Sequence, residues 1–160
     1  MDDNFPPTLH DDIISACGIN MEVPQKFQSV RRKQRDPVFR EKILQAYAYQ
    51  CALCHYQLRL GHQLIGLEAA HIKWHTAGGP DKENNGLALC SLHHKMLDSG
   101  VFSLDENLKV QVSSKANGPS IEHYLLPYEQ KQIQIPRKKE FHPDPGYVEW
   151  HVAEVYKGGY

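Results

Sequence analysis

Two short pairs of side chains constrain this chain more than anything else in it: Cys51-Ala52-Leu53-Cys54 and Cys90-Ser91-Leu92-His93. Each places two metal-ligating residues three positions apart. Brought together by folding, Cys51, Cys54, Cys90 and His93 supply four donors for a tetrahedral Zn2+, the closed arrangement of a structural site. The competing reading of a C-x-x-C is a redox pair of thioredoxin type, which needs the motif at a strand-to-helix junction. Here Cys51 follows a helical segment and Cys54 precedes a polar loop. The matched spacing of the second pair favours zinc.

The remaining cysteine, Cys17, has no partner nearby in sequence and is expected to pack against one side of its own short helix. At 160 residues the chain suits one compact domain that buries a core without disulfides. No apolar run approaches the length of a membrane span, and the start, Met1-Asp2-Asp3-Asn4-Phe5-Pro6-Pro7, lacks the basic and then apolar form of a signal peptide. A cytoplasmic protein with no membrane partner is the expectation.

Net charge is −1, so composition argues neither for nor against a polyanionic partner. Distribution says more. After an acidic start, residues 26–42 carry Lys26, Arg31, Arg32, Lys33, Arg35 and Arg40, and a second basic cluster, Arg137-Lys138-Lys139, lies near the C-terminus. Such runs are usually solvated faces or linkers. If a phosphate-directed site exists elsewhere, they become its flanks.

The order of elements follows from periodicity and punctuation. Residues 10–17 read as a short amphipathic helix stopped by Gly18, and 24–36 as a polar, basic linker. Asp36-Pro37 opens a helix with an N-cap followed by proline, and Phe39, Ile43, Leu44 and Tyr47 give it one apolar face. The segment Leu64-Ile65-Gly66-Leu67-Glu68-Ala69-Ala70-His71-Ile72 has the content of a strand. Gly78-Gly79-Pro80-Asp81 then opens a loop, residues 86–90 form a short apolar run, and 91–98 have helical spacing ended by Gly100. A hairpin around Asp105-Glu106-Asn107 follows, and Asp144-Pro145 opens a last helix whose Tyr147, Trp150 and Val155 are expected to pack on the core. The fold class is α+β, with domain boundaries at 1–35 and 36–160.

If Cys90 and His93 hold zinc, His94 is left over. His94 and Asp98 are four apart on one helix, hence on one face, and suit a second, harder divalent ion with open coordination positions. His71, at the end of a strand, is the nearby imidazole. Asn85, late in the intervening loop, has an amide that can orient a backbone or a side chain.

This order of strand, loop, strand and helix, with "EAAHI" (His71), "NNGLALC" (Asn85) and "CSLHHKMLD" (His94), resembles the HNH endonucleases, whose core is the ββα-metal finger. "DPVFREKILQAYAYQCALC" and "GGPDKENNGLALCSLHHKMLDSG" resemble more closely the nuclease domain of McrA-like, modification-dependent restriction endonucleases, including those that cut phosphorothioated DNA. The resemblance runs from about residue 5 to the C-terminal "EWHVAEVY".

It implies a ββα-metal HNH core with structural zinc, flanked by helices and a β-hairpin, and hydrolysis of double-stranded DNA to a 5′-phosphate and a 3′-hydroxyl. His71 is then the general base. A single Mg2+ or Mn2+ held by His94 and Asp98 is the Lewis acid, and Asn85 holds the loop and the His71 ring. Many HNH nucleases carry a metal-ligating Asp or His where this chain has Ala70. Glu68 lies two residues earlier on the same strand face and is the candidate substitute. Lys73, His75 and Lys95 join Arg31, Arg32 and Lys33 as candidate DNA contacts.

In the phosphorothioate-dependent enzymes a recognition domain precedes the nuclease domain, so residues 1–35 read as its junction, with a missing recognition domain or subunit as partner. Cutting both strands with one site per chain favours a homodimer. The other class of protein that fits is a zinc-stabilised DNA-binding or interaction module with a vestigial HNH site, and a third is a nuclease toxin of colicin type. His55 and His62 are expected at the surface, and His123, His142 and His151 at the surface or in packing. Trp74 is expected to be structural before it is a nucleic-acid contact.

Overall fold

A computed structural model describes residues 37–158. The sequence-predicted helix at 10–17, the basic linker, Cys17, the Asp36 cap, Arg31, Arg32, Lys33 and the 35/36 boundary lie outside them. Among the described residues no helix is long and apolar enough to cross a membrane.

Helix α1 spans Pro37–Ala46. Its predicted apolar face is buried as a unit: Phe39, Ile43, Leu44 and Tyr47 belong to the core. Two consecutive left-handed residues, Ala48 (φ 54°) and Tyr49 (φ 58°), then turn the chain sharply into Cys51.

The predicted single strand is divided. β2 (Gln63–Ile65) pairs antiparallel with β1 (Leu58–Leu60), and β3 (Leu67–His71) pairs antiparallel with β4 (Gly86–Cys90). Gly66 separates them at φ +67°, a conformation that breaks strand geometry and that L side chains avoid. β1 was expected as polar loop. All three of its residues are exposed, so burial leaves no alternation there to read.

The β3–β4 register pairs Leu67 with Cys90 and His71 with Gly86. All five residues of β4 are buried, as expected for a strand covered on both faces. α1 and α2 (Ser91–Asp98) both pack against this hairpin. At Gly86 a Cβ would fall 2.3 Å from Ile43 Cδ1, so the glycine lets α1 approach β4 directly.

The expected second hairpin forms from β5 (Phe102–Leu104) and β6 (Val110–Val112). A one-turn helix, α3 (Ile121–Tyr124), follows. α4 (Pro145–Glu154) is capped by the Asp144 carboxylate, which accepts from Gly146 N. Val148 and His151 are its buried residues, Val155 just past its end is buried too, and Tyr147 is half-buried against the core. Trp150 instead stays at the edge, its ring 5.8 Å from that of Trp74 in a T-shaped pair.

Candidate metal centre and active site

The two ligand pairs meet. The donor atoms of Cys51, Cys54, Cys90 and His93 lie within 4.8 Å of one another, the one such group of three or more among the described residues. Cys51 comes from the turn after α1, and Cys90 and His93 from the junction of β4 with α2. Cys90 Sγ is 3.2 Å and Cys51 Sγ 3.6 Å from His93 Nδ1, and Cys54 Sγ is 4.0 Å from Cys90 Sγ. A tetrahedron with Zn–S bonds of about 2.3 Å has edges of about 3.8 Å, so the four donors already stand at the separations zinc requires.

The surroundings fit as well. His93 Nε2 donates to the Tyr124 carbonyl at 2.8 Å, which leaves Nδ1 as the atom aimed at the sulfurs, the usual outer partner of a ligating histidine. Hydrogen bonds from Cys54 and Cys90 hold the Cys51 thiol far below the ordinary thiol range, while its bonds to Cys51 and Cys90 push Cys54 far above it. Burial acts to lower the His93 pKa, but the Cys51 and Cys90 sulfurs and the Tyr124 carbonyl outweigh it and raise it to about 10. Cys54 and His93 therefore hold their protons, while Cys51 gives its proton up readily. Zinc binding must release the held protons.

The other predicted residues occupy the two ends of the β3–β4 hairpin and the length of α2 from His94 to its last residue, Asp98. His71 ends β3 with its side chain 16% exposed. Its ring stacks on Phe39, centroids 4.3 Å apart and planes 13° from parallel. His71 Nε2 lies 2.7 Å from Asp81 Oδ1. Asp81 was not singled out in the sequence: it is ten residues away in an irregular loop, where no periodicity announces a partner.

Asn85 is fully buried and stitches that loop shut. Its Oδ1 accepts from Lys73 N at 2.9 Å, and its Nδ2 donates to the carbonyls of Lys73 and Pro80, both at 3.0 Å. Ile72 N donates to the Asn85 carbonyl at 3.0 Å. Asn85 thus sets the spacing between the strand carrying His71 and the loop carrying Asp81. No side chain fits at Gly79, where a Cβ would stand 1.9 Å from the Lys73 carbonyl and 2.9 Å from Asn85 Nδ2.

On α2, His94 is buried between two carboxylates. Its Nδ1 is 2.5 Å from Glu68 Oε2 and its Nε2 is 3.4 Å from Asp98 Oδ2. Glu68 also accepts from Ser91 Oγ at 2.9 Å. The two acids stand at opposite nitrogens of one ring, so they cannot both share a cation with the same nitrogen in this arrangement. Neighbouring ligands on a small octahedral cation lie about 3 Å apart. The His94 Nε2 and Asp98 pair matches that spacing, and Glu68 has the position of an orienting partner.

The candidate DNA contacts are more scattered. His75 is exposed, its ring edge-on to His71 at 6.0 Å and its Nε2 4.0 Å from Asp81. Lys73 is half-buried with Nζ 5.8 Å from the Trp150 ring, and Lys95 is exposed on α2. Trp74 Nε1 is buried with no hydrogen-bond partner among the described residues. His151, expected at the surface or in packing, is packed: Nδ1 lies 2.8 Å from Ser103 Oγ, and Nε2 donates to the Leu97 carbonyl at 3.1 Å.

A family model described as HNH endonuclease matches residues 51–105, which begin at the first zinc-pair cysteine and include His71, Asn85, His94 and Asp98. No curated protein matches the chain. Among solved structures, one described as "Modification dependent TagI restriction endonuclease" aligns with a TM-score of 0.54 and 19% identity, over 78% of this chain and 40% of that one. This chain therefore spans well under half the length of that neighbour, and at such identity the likeness is one of fold. Residues 51–105 thus resemble the HNH endonucleases, and the fold resembles that of a modification-dependent restriction enzyme.

Proposed function

We propose that this protein is a metal-dependent DNA endonuclease that hydrolyses phosphodiester bonds at one HNH site, with modified DNA, phosphorothioated or methylated, as its restriction target. The observation that carries the reading is the His71–Asp81 contact at the end of the β3–β4 hairpin. A carboxylate beside Nε2 holds the imidazole in one orientation for proton transfer, the arrangement a general base needs. His71 takes the proton of a water as its oxygen attacks phosphorus. The bond to the 3′ oxygen breaks, its electron pair leaves with that oxygen, and a proton from solvent water completes the 3′-hydroxyl beside the new 5′-phosphate.

Phe39 holds the His71 ring in plane, and Asn85 keeps the Asp81 loop in register. His94 Nε2 and Asp98 are the residues that hold a Mg2+ or Mn2+, with Glu68 fixing His94 through Nδ1. When bound, that ion supplies charge stabilisation at the scissile phosphate and the leaving oxygen. Lys73, His75 and Lys95, with Arg31, Arg32 and Lys33, contribute phosphate contacts.

The modified target is supported by the description of the structural neighbour, and the reading includes a separate domain or subunit for target recognition. One site per chain calls for a homodimer if both strands are cut. Three thiols at one zinc site suit the reducing cytoplasm.

The test is cleavage of supercoiled plasmid, unmodified, methylated and phosphorothioated, with Mg2+ or Mn2+. Wild type should nick or linearise at least one of them. Zinc-loaded His71→Ala should lose about 10²–10⁴-fold in rate, the usual share of a general base, and Asp81→Asn should lower kcat by less, with KM for DNA unchanged. Folded His71→Ala cleaving at the wild-type rate would remove the assignment. Binding without cleavage on every plasmid would leave a DNA-binding module.

A further inference from the structure

The run Arg137-Lys138-Lys139 has no part in the site described above, yet the fold does not leave it as a loose tail. All three side chains are exposed, while Pro136 and Pro143 on either side are buried. Between them the chain closes on itself. His142 Nε2 donates to the Pro136 carbonyl at 2.9 Å, Phe141 N to Lys138 O at 3.0 Å, and His142 N to Lys139 O at 3.1 Å.

Both ends of this turn are tied to the functional centres. On the N-terminal side Gln134 N donates to the Ala52 carbonyl at 2.8 Å, between zinc-pair residues Cys51 and Cys54. On the C-terminal side Asp144 N donates to Asn84 O at 2.9 Å, one residue before the Asn85 that links to Ile72 and so to His71. The turn at 139–141 packs against the turn at 83–85. The run is therefore a strap from the zinc knuckle to the catalytic loop.

Its charge is nearly uncompensated. Glu140 is the one acid in it, 3.9 Å from Lys138 with both side chains about 70% exposed, a pair of little energetic weight. Lys138 Nζ also lies 5.2 Å from the Phe141 ring, which holds the side chain without neutralising it. Backbone this firmly anchored presents the three cations from one fixed turn, so little backbone ordering entropy is lost on binding.

We propose that residues 136–143 form a preordered clamp for the duplex DNA backbone, with Arg137, Lys138 and Lys139 each neutralising a phosphate on the flank of the HNH site. The proposal rests on the DNA-endonuclease reading. It adds contacts that are independent of base sequence and of the catalytic ion.

The experiment measures duplex binding by fluorescence anisotropy in the cleavage-deficient His71→Ala background without Mg2+, from 50 to 200 mM salt. Removing Arg137, Lys138 and Lys139 together should reduce the slope of log K against log salt by about 2.7, at about 0.9 per phosphate contact. Over that fourfold salt range the parent should lose about 40-fold more affinity than the triple variant. His142→Ala, which keeps the charges but opens the turn, should weaken binding with the slope unchanged. Removing the exposed Lys109, Lys115 and Lys131 should leave the slope alone.

An unaltered slope in the first variant, or an equal loss in the last, overturns the clamp. An unaltered affinity in His142→Ala overturns its preordering. If wild type cleaves plasmid while the slope stays unaltered, the clamp alone fails. If the protein neither binds nor cleaves DNA, the endonuclease reading falls with it.

Discussion

Replacing Asn85 should damage the protein in a way that distinguishes its donors from its acceptor. Its side chain makes three hydrogen bonds of 2.9–3.0 Å in a fully buried position, and a typical net contribution is about 1 kcal/mol each. Asn85→Ala forfeits all three, about 3 kcal/mol, and more if the Lys73 and Pro80 groups find no water. Asn85→Asp is nearly isosteric and keeps the bond from Lys73 N. It still replaces a donor facing two carbonyls with a third negative oxygen, so at pH 7 it should be at least as destabilising as alanine.

Urea unfolding at fixed excess zinc reads both variants. With m near 2 kcal/mol/M for a domain of this size, the alanine midpoint should fall by about 1.5 M with m unchanged. Plasmid cleavage below the transition should fall too, because the loop bearing Asp81 loses its register with β3. Midpoints within about 0.3 M of wild type, or an aspartate variant milder than the alanine one, would show that solvent satisfies the loop and that Asn85 does not set it.

Cys54→Ser should retain less than one zinc per chain on metal analysis and melt well below wild type, since structural zinc binding is part of the folding free energy; full zinc content with an unchanged Tm would refute the Cys3His site. Burial holds the His151 pKa below its ordinary value, outweighing the Leu97 carbonyl and Asp98, which act to raise it. A depressed folded pKa means that the stability the neutral ring confers is complete above about pH 6.5 and is lost as pH falls toward the folded value. Wild type should therefore lose stability on acidification more steeply than His151→Gln at the same excess zinc, and parallel pH profiles would exclude a titrating His151.

What was legible in the sequence was whatever rests on fixed spacing. The matched ligand pairs, the i, i+4 face of α1 and the Asp-Pro opening of α4 are local patterns that packing had no reason to override. The alternation of β3 put Glu68 on the face of Ala70, but that it meets His94, and at which ring nitrogen, depends on how α2 is rotated against the hairpin. Gly66 was visible as a residue, yet only the pairing of Gln63–Ile65 with Leu58–Leu60 makes it a break. Asp81, the Asp144–Asn84 link and the interior place of His151 arise between segments far apart or irregular, where neither period nor propensity carries information.

His93 and His94 are neighbours on α2, and neighbours on an α-helix point about 100° apart. One of them faces the thiols and the other faces Glu68 and Asp98. A zinc ion held by the thiols would act on the second as an axle pin acts on a wheel: gripping His93 would fix the angle at which His94 is presented. On the proposed function, a chelator would strip this angular setting along with any Mg2+, so loss of cleavage in EDTA would be two failures superimposed. Restoring zinc first and Mg2+ second should bring activity back in two separable stages, the first seen in the melt and the second in the gel.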